Sequence, residues 1–157
     1  MVNYVKGNLL ESDCDYICHQ VNCQGVMGSG IARQIREKWP EVYWSYRDAY
    51  EQYRLGDVHR LLGSVDIAMV TCSTQTVLNM FAQDTFGYDG ERYTSYDAFA
   101  RCLEEIAKIV PKDKTIGFPK NIGCGLGGGN WKVISALIEE ILGETHEVYI
   151  YELEGIA

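Results

Sequence analysis

Two glycine-rich stretches carry the chain's clearest chemistry: Gly25-Val26-Met27-Gly28-Ser29-Gly30 and Gly123-Cys124-Gly125-Leu126-Gly127-Gly128-Gly129. Together they hold eight of the 16 glycines, so backbone freedom is concentrated at two places rather than spread along the chain. Glycine lets backbone N–H groups approach a ligand with no side chain in the way. At a helix N-terminus the positive end of the dipole reinforces those donors and makes a seat for phosphate. Either stretch alone could simply end a strand and cap a helix. The pair suggests a diphosphate held from both sides. Cys14, Cys18, His19 and Cys23 cluster before the first stretch, but they lack the paired C-x₂₋₄-C and H-x₃₋₅-H layout of a zinc site. Neither a metal nor a resident cofactor is expected.

The surrounding pattern places both stretches at strand ends. Tyr4-Val5 opens a first strand, and Tyr16–Val21 forms a second that runs into the first glycine stretch. Ile31, Ile35 and Trp39 then recur at helical spacing until Pro40 ends or bends the helix. Tyr43, Tyr46, Tyr50 and Tyr53 continue that spacing and read as packing rather than a base-stacking stripe. Short β patterns follow around Val58–Leu62, Val65–Cys72 and Thr76–Phe81, then a polar loop from Asp84 to Tyr93. Thr94 or Ser95 caps a long helix with Phe99, Leu103, Ile106 and Val110 inward, closed by Pro111. Thr115–Phe118 is a buried strand leading to the second glycine stretch. Asn130 caps a last helix whose inner face is Ile134, Leu137, Ile138 and Ile141, and Val148–Tyr151 is a closing strand. Strands alternating with helices imply an α/β fold with a mostly parallel sheet covered on both faces and ligands at the strands' carboxyl ends. His59 and His146 lie away from both stretches and are expected at the surface.

At 157 residues the chain suits one domain with a core that needs no disulfides. The net charge of −8 argues against general nucleic-acid binding, which requires a basic surface. It leaves room for a small anionic ligand, because backbone amides in a concavity hold phosphate even on an acidic protein. No apolar run is long enough for a membrane span, and the start of the chain lacks the regions of a signal peptide. Six cysteines without such a signal point to a reduced, cytoplasmic protein, expected as a monomer.

Gly123-x-Gly125-x-x-Gly128 formally matches a dinucleotide fingerprint, but one helix and one strand complete the chain beyond it, too little for a Rossmann unit. No G-x-x-x-x-G-K-[ST] occurs, which removes a P-loop. Three stretches instead resemble the macrodomains. They are Val5-Lys6-Gly7-Asn8-Leu9-Leu10, the run from His19 through Asn22 and Gly30 to Ala32, and the run from Pro119 through Gly125 to Trp131. The resemblance covers nearly the full length in order. It implies a three-layer α/β/α fold that binds ADP-ribose, with the two loops around the diphosphate and distal ribose and adenine near the first and last strands.

Carried over by position, the resemblance makes Val21, Asn22, Gly25, Val26, Met27, Gly28, Gly30 and Ile31 ligand contacts on the first loop. Pro119, Ile122, Gly123, Cys124, Gly125, Leu126 and Gly127 follow on the second. Asn8-Leu9 falls where the family has an aspartate that contacts adenine, and Asn8 keeps the size without the charge. Asn22 matches the asparagine that contacts the distal ribose. Tyr151 is either a stacking partner for adenine or an ordinary half-buried strand tyrosine.

Some macrodomains remove ADP-ribosyl groups using a lysine in the loop after the central strands, sometimes with an aspartate after the Gly-Cys-Gly-Leu motif. Here that aspartate position is Gly127, and no lysine lies between Gln75 and Tyr96. The pattern His19-x-x-Asn22-Cys23-x-Gly25, with Phe81 and Phe86-Gly87, resembles the branch that dephosphorylates ADP-ribose-1″-phosphate. His19 would activate water or protonate the leaving oxygen. Asp84 would orient it or act as base, Asn22 is the third candidate catalytic residue, and Gln83 could only position groups. On a strand His19 and Asn22 point to opposite faces, so they share a site only where the strand ends or twists. A non-catalytic ADP-ribose-binding module and a hydrolase releasing ADP-ribose from protein or nucleic acid remain the alternatives.

Overall fold

Among the described residues six strands form one sheet: β1 (Val2–Lys6), β2 (Tyr16–Asn22), β3 (Val65–Met69), β4 (Thr76–Gln83), β5 (Thr115–Pro119) and β6 (Glu147–Glu152). They lie in the order β1-β6-β5-β2-β4-β3 in a computed structural model that describes residues 1–153. All neighbours are parallel except β3 and β4. Parallel pairing buries both faces, and strands of that kind read as near-continuous apolar runs. β4 is such a run: Val77 and Phe81 enter one core, Leu78, Met80 and Ala82 the other.

Among the described residues four helices cover the sheet: α1 (Gly30–Lys38), α2 (Pro40–Tyr53), α3 (Tyr96–Ile109) and α4 (Trp131–Leu142). One core packs Phe99, Leu103 and Ile106 of α3 and Ile134 and Ile138 of α4 against Ile116 and Phe118. The other packs Ile35, Val42 and Tyr46 of α1 and α2 against Ile17 and Val21. The result is the three-layer α/β/α arrangement. Ser95 caps α3 by accepting from Ala98 N–H at 3.1 Å, and Asn130 caps α4 by accepting from Lys132 N–H at 2.9 Å. Trp39 ends α1 and Pro40 starts α2, as a ring that fixes φ and lacks an N–H should at a first helical position. No described helix is long and apolar enough to cross a membrane.

Two sequence expectations are corrected here. Val58–Leu61 is a 3-10 turn, not a strand, because the Asp57 carboxylate accepts from His59 N–H at 3.0 Å and caps it. Its apolar spacing arises from Leu61 alone turning inward. His146 is buried at 3% exposure, not on the surface. Its Nε2 donates to Val110 O at 2.9 Å and its Nδ1 accepts from the Thr145 hydroxyl at 2.8 Å, tying the end of α3 to the turn after α4.

Candidate functional site

β2 is the central strand between β5 and β4, and its carboxyl end delivers Gln20, Val21 and Asn22 to the site. The β2–β4 register shifts there, with Val21 opposite Phe81 but Asn22 opposite Gln83. Such an irregularity re-aims side chains at a strand end. Asn22 folds back into the first loop: its Nδ2 donates to Val26 O at 2.9 Å, and its Oδ1 accepts from Gln24 N–H at 3.0 Å. The fully buried Tyr46 hydroxyl lies 2.7 Å from Asn22 O and 2.8 Å from Asn22 Oδ1, and accepts from Val26 N–H at 3.0 Å. Burial pushes its phenol well above the usual range, so it stays protonated and able to donate. Gly25, with φ +79°, is clamped from α2 by Arg47 and Tyr50; an added Cβ would come within 2.3 Å of Arg47 Nη1. Tyr46→Phe should strand Val26 N–H and free the Asn22 end of the loop. It is expected to cost about 1–3 kcal/mol in urea unfolding and to weaken ligand binding roughly tenfold. Unchanged values of both would remove Tyr46 from this role.

The second loop is tied to the third, residues 84–94. Gly127 O accepts from Tyr93 N–H at 2.7 Å and Thr94 N–H at 2.9 Å, and Gly123 O accepts from the Thr94 hydroxyl at 2.7 Å. Gln20 Nε2 donates to Gln83 Oε1 at 2.7 Å and Thr94 Oγ1 at 2.8 Å, which joins β2 and β4 to the same knot. A Cβ at Gly127 would sit 2.6 Å from Thr94 Oγ1 and 2.7 Å from Gly123 O, whereas Gly125 has no atom within 4 Å of that position. Gly127 is required for packing; Gly125 is open toward the cleft.

Between the loops lies a cleft of about 320 Å³. Of the sequence-expected residues it is lined by Val21, Asn22, Val26, Met27, Gly28, Gly30 and Ile31 from the first loop and helix. Pro119, Ile122, Gly123, Gly125, Leu126 and Gly127 come from the other side. A second chamber of about 350 Å³ shares Ile31, Pro119, Lys120 and Asn121 with it and continues past Asn8, Leu9 and Tyr151. Asn8 spends its Oδ1 on Leu10 N–H at 3.0 Å, capping a short turn. Lys120 lies at the junction with its ammonium 2.8 Å from Glu152. The N-terminus of α1 also opens here: Ser29 makes no capping bond, and Ile31 and Ala32 line the cleft. Unlike α3 and α4, α1 therefore leaves first-turn N–H groups without a side-chain partner.

Four expected site residues stand elsewhere. His19 is fully buried on the α2 side of the sheet, its Nε2 bonded to Asn79 Oδ1. Asn79 Nδ2 donates to Asp66 Oδ2 at 2.9 Å, which also accepts from the Ser45 hydroxyl at 2.8 Å. Burial lowers the His19 pKa to about 4, partly offset by the Asn79 bond, so the ring is neutral at pH 7. The strand alternation holds through Val21, and the register shift comes too late to turn His19 into the cleft. Asp84 faces His59 at 2.9 Å, outside the cleft, while its backbone carbonyl accepts from Cys23 N–H at 2.9 Å. Gly25 faces Arg47 and Tyr50, and Cys124 packs against the α3–α4 core with its thiol toward Ile122 O. Burial raises the Cys124 thiol, which suits packing rather than nucleophilic chemistry. Among the described residues no aspartate, glutamate or histidine lines the cleft. Gln20, Thr94 and Tyr46 were missed by sequence reasoning. Gln20 alone had a usable signal, as it precedes Asn22 by two on the same strand.

No protein-family model matches the chain. It is 28% identical over 160 residues to a DNA ADP-ribosyl glycohydrolase of Thermus aquaticus, covering 97% of this chain but 41% of that protein. An uncharacterised 17.5 kDa protein of Enterobacteria phage T4 is 30% identical over 146 residues, 88% of each. An ADP-ribose 1″-phosphate phosphatase of Saccharomyces cerevisiae is 25% identical over 179 residues, 97% of this chain and 98% of that one. Among solved structures, a Bacteroides thetaiotaomicron protein of unknown function superposes with TM-score 0.83 at 30% identity over 98% of both chains. The macrodomain of Mycobacterium tuberculosis DarG gives 0.80 at 20% identity over 96% of this chain and 97% of its own. Thermosipho africanus DarTG in complex with ADP-ribose gives 0.77 at 22% identity over 96% of this chain and 41% of that one. These superpositions cover almost the whole chain, and the chain has the macrodomain fold.

Proposed function

We propose that the cleft binds ADP-ribose and its 1″-substituted derivatives and hydrolyses the bond to the 1″ substituent. The observation that carries this reading is the facing of three donor-bearing backbones across one cleft. These are the first loop, the second loop opened at Gly125, and the uncapped start of α1. A diphosphate between them meets amides without a side chain in the way. The chamber at Asn8 and Tyr151 takes adenosine, and the distal ribose lies toward Phe86 and Gly87 of the third loop.

Release of phosphate from ADP-ribose-1″-phosphate is one form of this reaction, supported by the likeness to the yeast enzyme. Of the side chains assigned to it by sequence, Asn22 lines the cleft, whereas His19 and Asp84 do not reach it. Proton handling then falls to the substrate's own groups and ordered water, with loop amides stabilising developing charge. Release of ADP-ribose from a modified macromolecule is the second form, supported by the Thermus aquaticus relative. Calorimetry with ADP-ribose, followed by product analysis on both substrate types, tests the reading. Saturable binding with turnover of at least one substrate is expected. No heat and no thermal shift at millimolar ADP-ribose would overturn it.

A further inference from the structure

The second glycine turn has two chemically different sides. The carbonyls of Asn121, Gly123, Gly125 and Gly127 all accept hydrogen bonds. Their donors are Cys124 N–H at 2.8 Å, Gly129 N–H at 2.8 Å, Gly128 N–H at 3.0 Å and Tyr93 N–H at 2.7 Å, in that order. The N–H groups of Gly123, Gly125, Leu126 and Gly127 have no partner among the described residues, and all four of these residues line the cleft. Cys124, whose N–H is engaged, does not line it. The turn thus offers donors to the cleft while its acceptors are tied off. That arrangement suits anionic oxygens and leaves a cation little to bind.

Glycine does not impose this polarity. The peptide between Gly127 and Gly128 is flanked by two residues without a Cβ, so it can turn over at little steric cost. A reversed peptide would present a carbonyl oxygen to a phosphate. The Asn121 and Gly125 carbonyls are held by the turn's own amides, but those of Gly123 and Gly127 are held from the third loop, and Thr94 reaches both. Its N–H donates to Gly127 O at 2.9 Å and its hydroxyl to Gly123 O at 2.7 Å. The direction of the hydroxyl is set too: Gln20 Nε2 donates to Thr94 Oγ1 at 2.8 Å, which leaves the single hydroxyl proton for Gly123 O. Helix capping does not account for Thr94, because Ser95 caps α3. We infer that Thr94 is a positioning residue that fixes the polarity of the second glycine turn, holding the Gly123 and Gly127 carbonyls away from the diphosphate so that amides alone face it. Thr94 itself is buried and lines neither chamber. The inference rests on the ADP-ribose reading of the cleft.

The test is calorimetry with ADP-ribose, and competition by inorganic pyrophosphate and by adenosine, on wild type, Thr94→Val and Thr94→Ser. Pyrophosphate reads the turn and adenosine reads the second chamber. Thr94→Val keeps the backbone N–H and the side-chain shape but removes the hydroxyl. It is expected to lose roughly tenfold in affinity for ADP-ribose and for pyrophosphate, with adenosine unchanged. Thr94→Ser is expected to restore both. Equal losses on all three ligands, no loss at all, or no rescue by serine overturns the inference and leaves the cleft reading in place. Wild-type protein gives a second readout that depends on no variant. When ADP-ribose is added, the amide protons of Gly123, Gly125, Leu126 and Gly127 should move downfield in NMR spectra by more than those of Cys124, Gly128 and Gly129. Equal shifts in the two groups also overturn the inference. No ADP-ribose binding by wild type overturns the cleft reading and the inference with it.

Discussion

Gly125→Glu is expected to abolish ADP-ribose binding and leave the domain folded. No atom lies within 4 Å of a Cβ at Gly125, so the backbone accepts a side chain there without strain. The added carboxylate projects into the cleft where the diphosphate would sit. Two like charges ~4 Å apart at an effective dielectric near 20 repel by about 4 kcal/mol, roughly three orders of magnitude in affinity. Gly125→Ala should by contrast bind nearly as wild type. Gly127→Asp provides the opposite control, because its Cβ would press on Thr94 Oγ1 and Gly123 O at 2.6 and 2.7 Å. It should lower the melting temperature by several degrees instead of creating a catalytic carboxylate. Calorimetry and thermal unfolding on the three variants read these outcomes. Wild-type affinity in Gly125→Glu would place the ligand away from the second loop.

Acid should weaken the domain through His19. Burial lowers its folded pKa to about 4, against 6.5 for the free side chain, so the unfolded chain binds the proton and the folded one resists it. Stability from the neutral ring is therefore complete above pH 6.5 and is lost as pH falls from 6.5 toward 4. The full loss is about 3 kcal/mol, reached near the lower pKa. Burial is the cause, partly opposed by the Nε2 bond to Asn79: Nδ1 is enclosed with no partner among the described residues, so a second N–H would have nowhere to donate. Urea unfolding of wild type and His19→Gln at pH 7 and pH 4.5 separates this slope from that of the carboxylates. The variant should be less stable at pH 7 but show the smaller fall on acidification. Turnover per folded molecule should survive the substitution, because the ring does not face the cleft. An identical slope in both proteins would remove His19 as its source.

The order of elements was readable because parallel strands buried on both faces leave unbroken apolar runs. Both glycine stretches were readable because the turns after β2 and β5 need positive φ at Gly25, Gly30, Gly123 and Gly128. Side-chain direction at the strand end was not. His19 looked chemical beside Asn22, yet strict alternation sends it under α2, and only the Asn79–Asp66–Ser45 chain reveals why a histidine is held there. Asp84 was placed near the right loop, but its contact with His59 arises between segments far apart in sequence. Tyr46 was correctly read as packing, while its hydroxyl's grip on the first loop depends on a rotamer no periodicity encodes. Thr94 competed with Ser95 as a helix cap; Ser95 won, leaving Thr94 to join the glycine loop.

The knot at Gly127 divides the third loop into parts that are held differently. Gln83, Tyr93 and Thr94 bind the roots of the loop to β2 and to the second glycine turn. The span from Phe86 to Arg92 between those roots carries none of that bonding to the glycine turns. Only the exposed tip before Glu91 is free to change in kind, because the Glu91 and Arg92 backbone lies against Gly128, where an added Cβ would come within 2.6 Å of Glu91 O. Rewriting that tip confines the cost to folding to the tip itself.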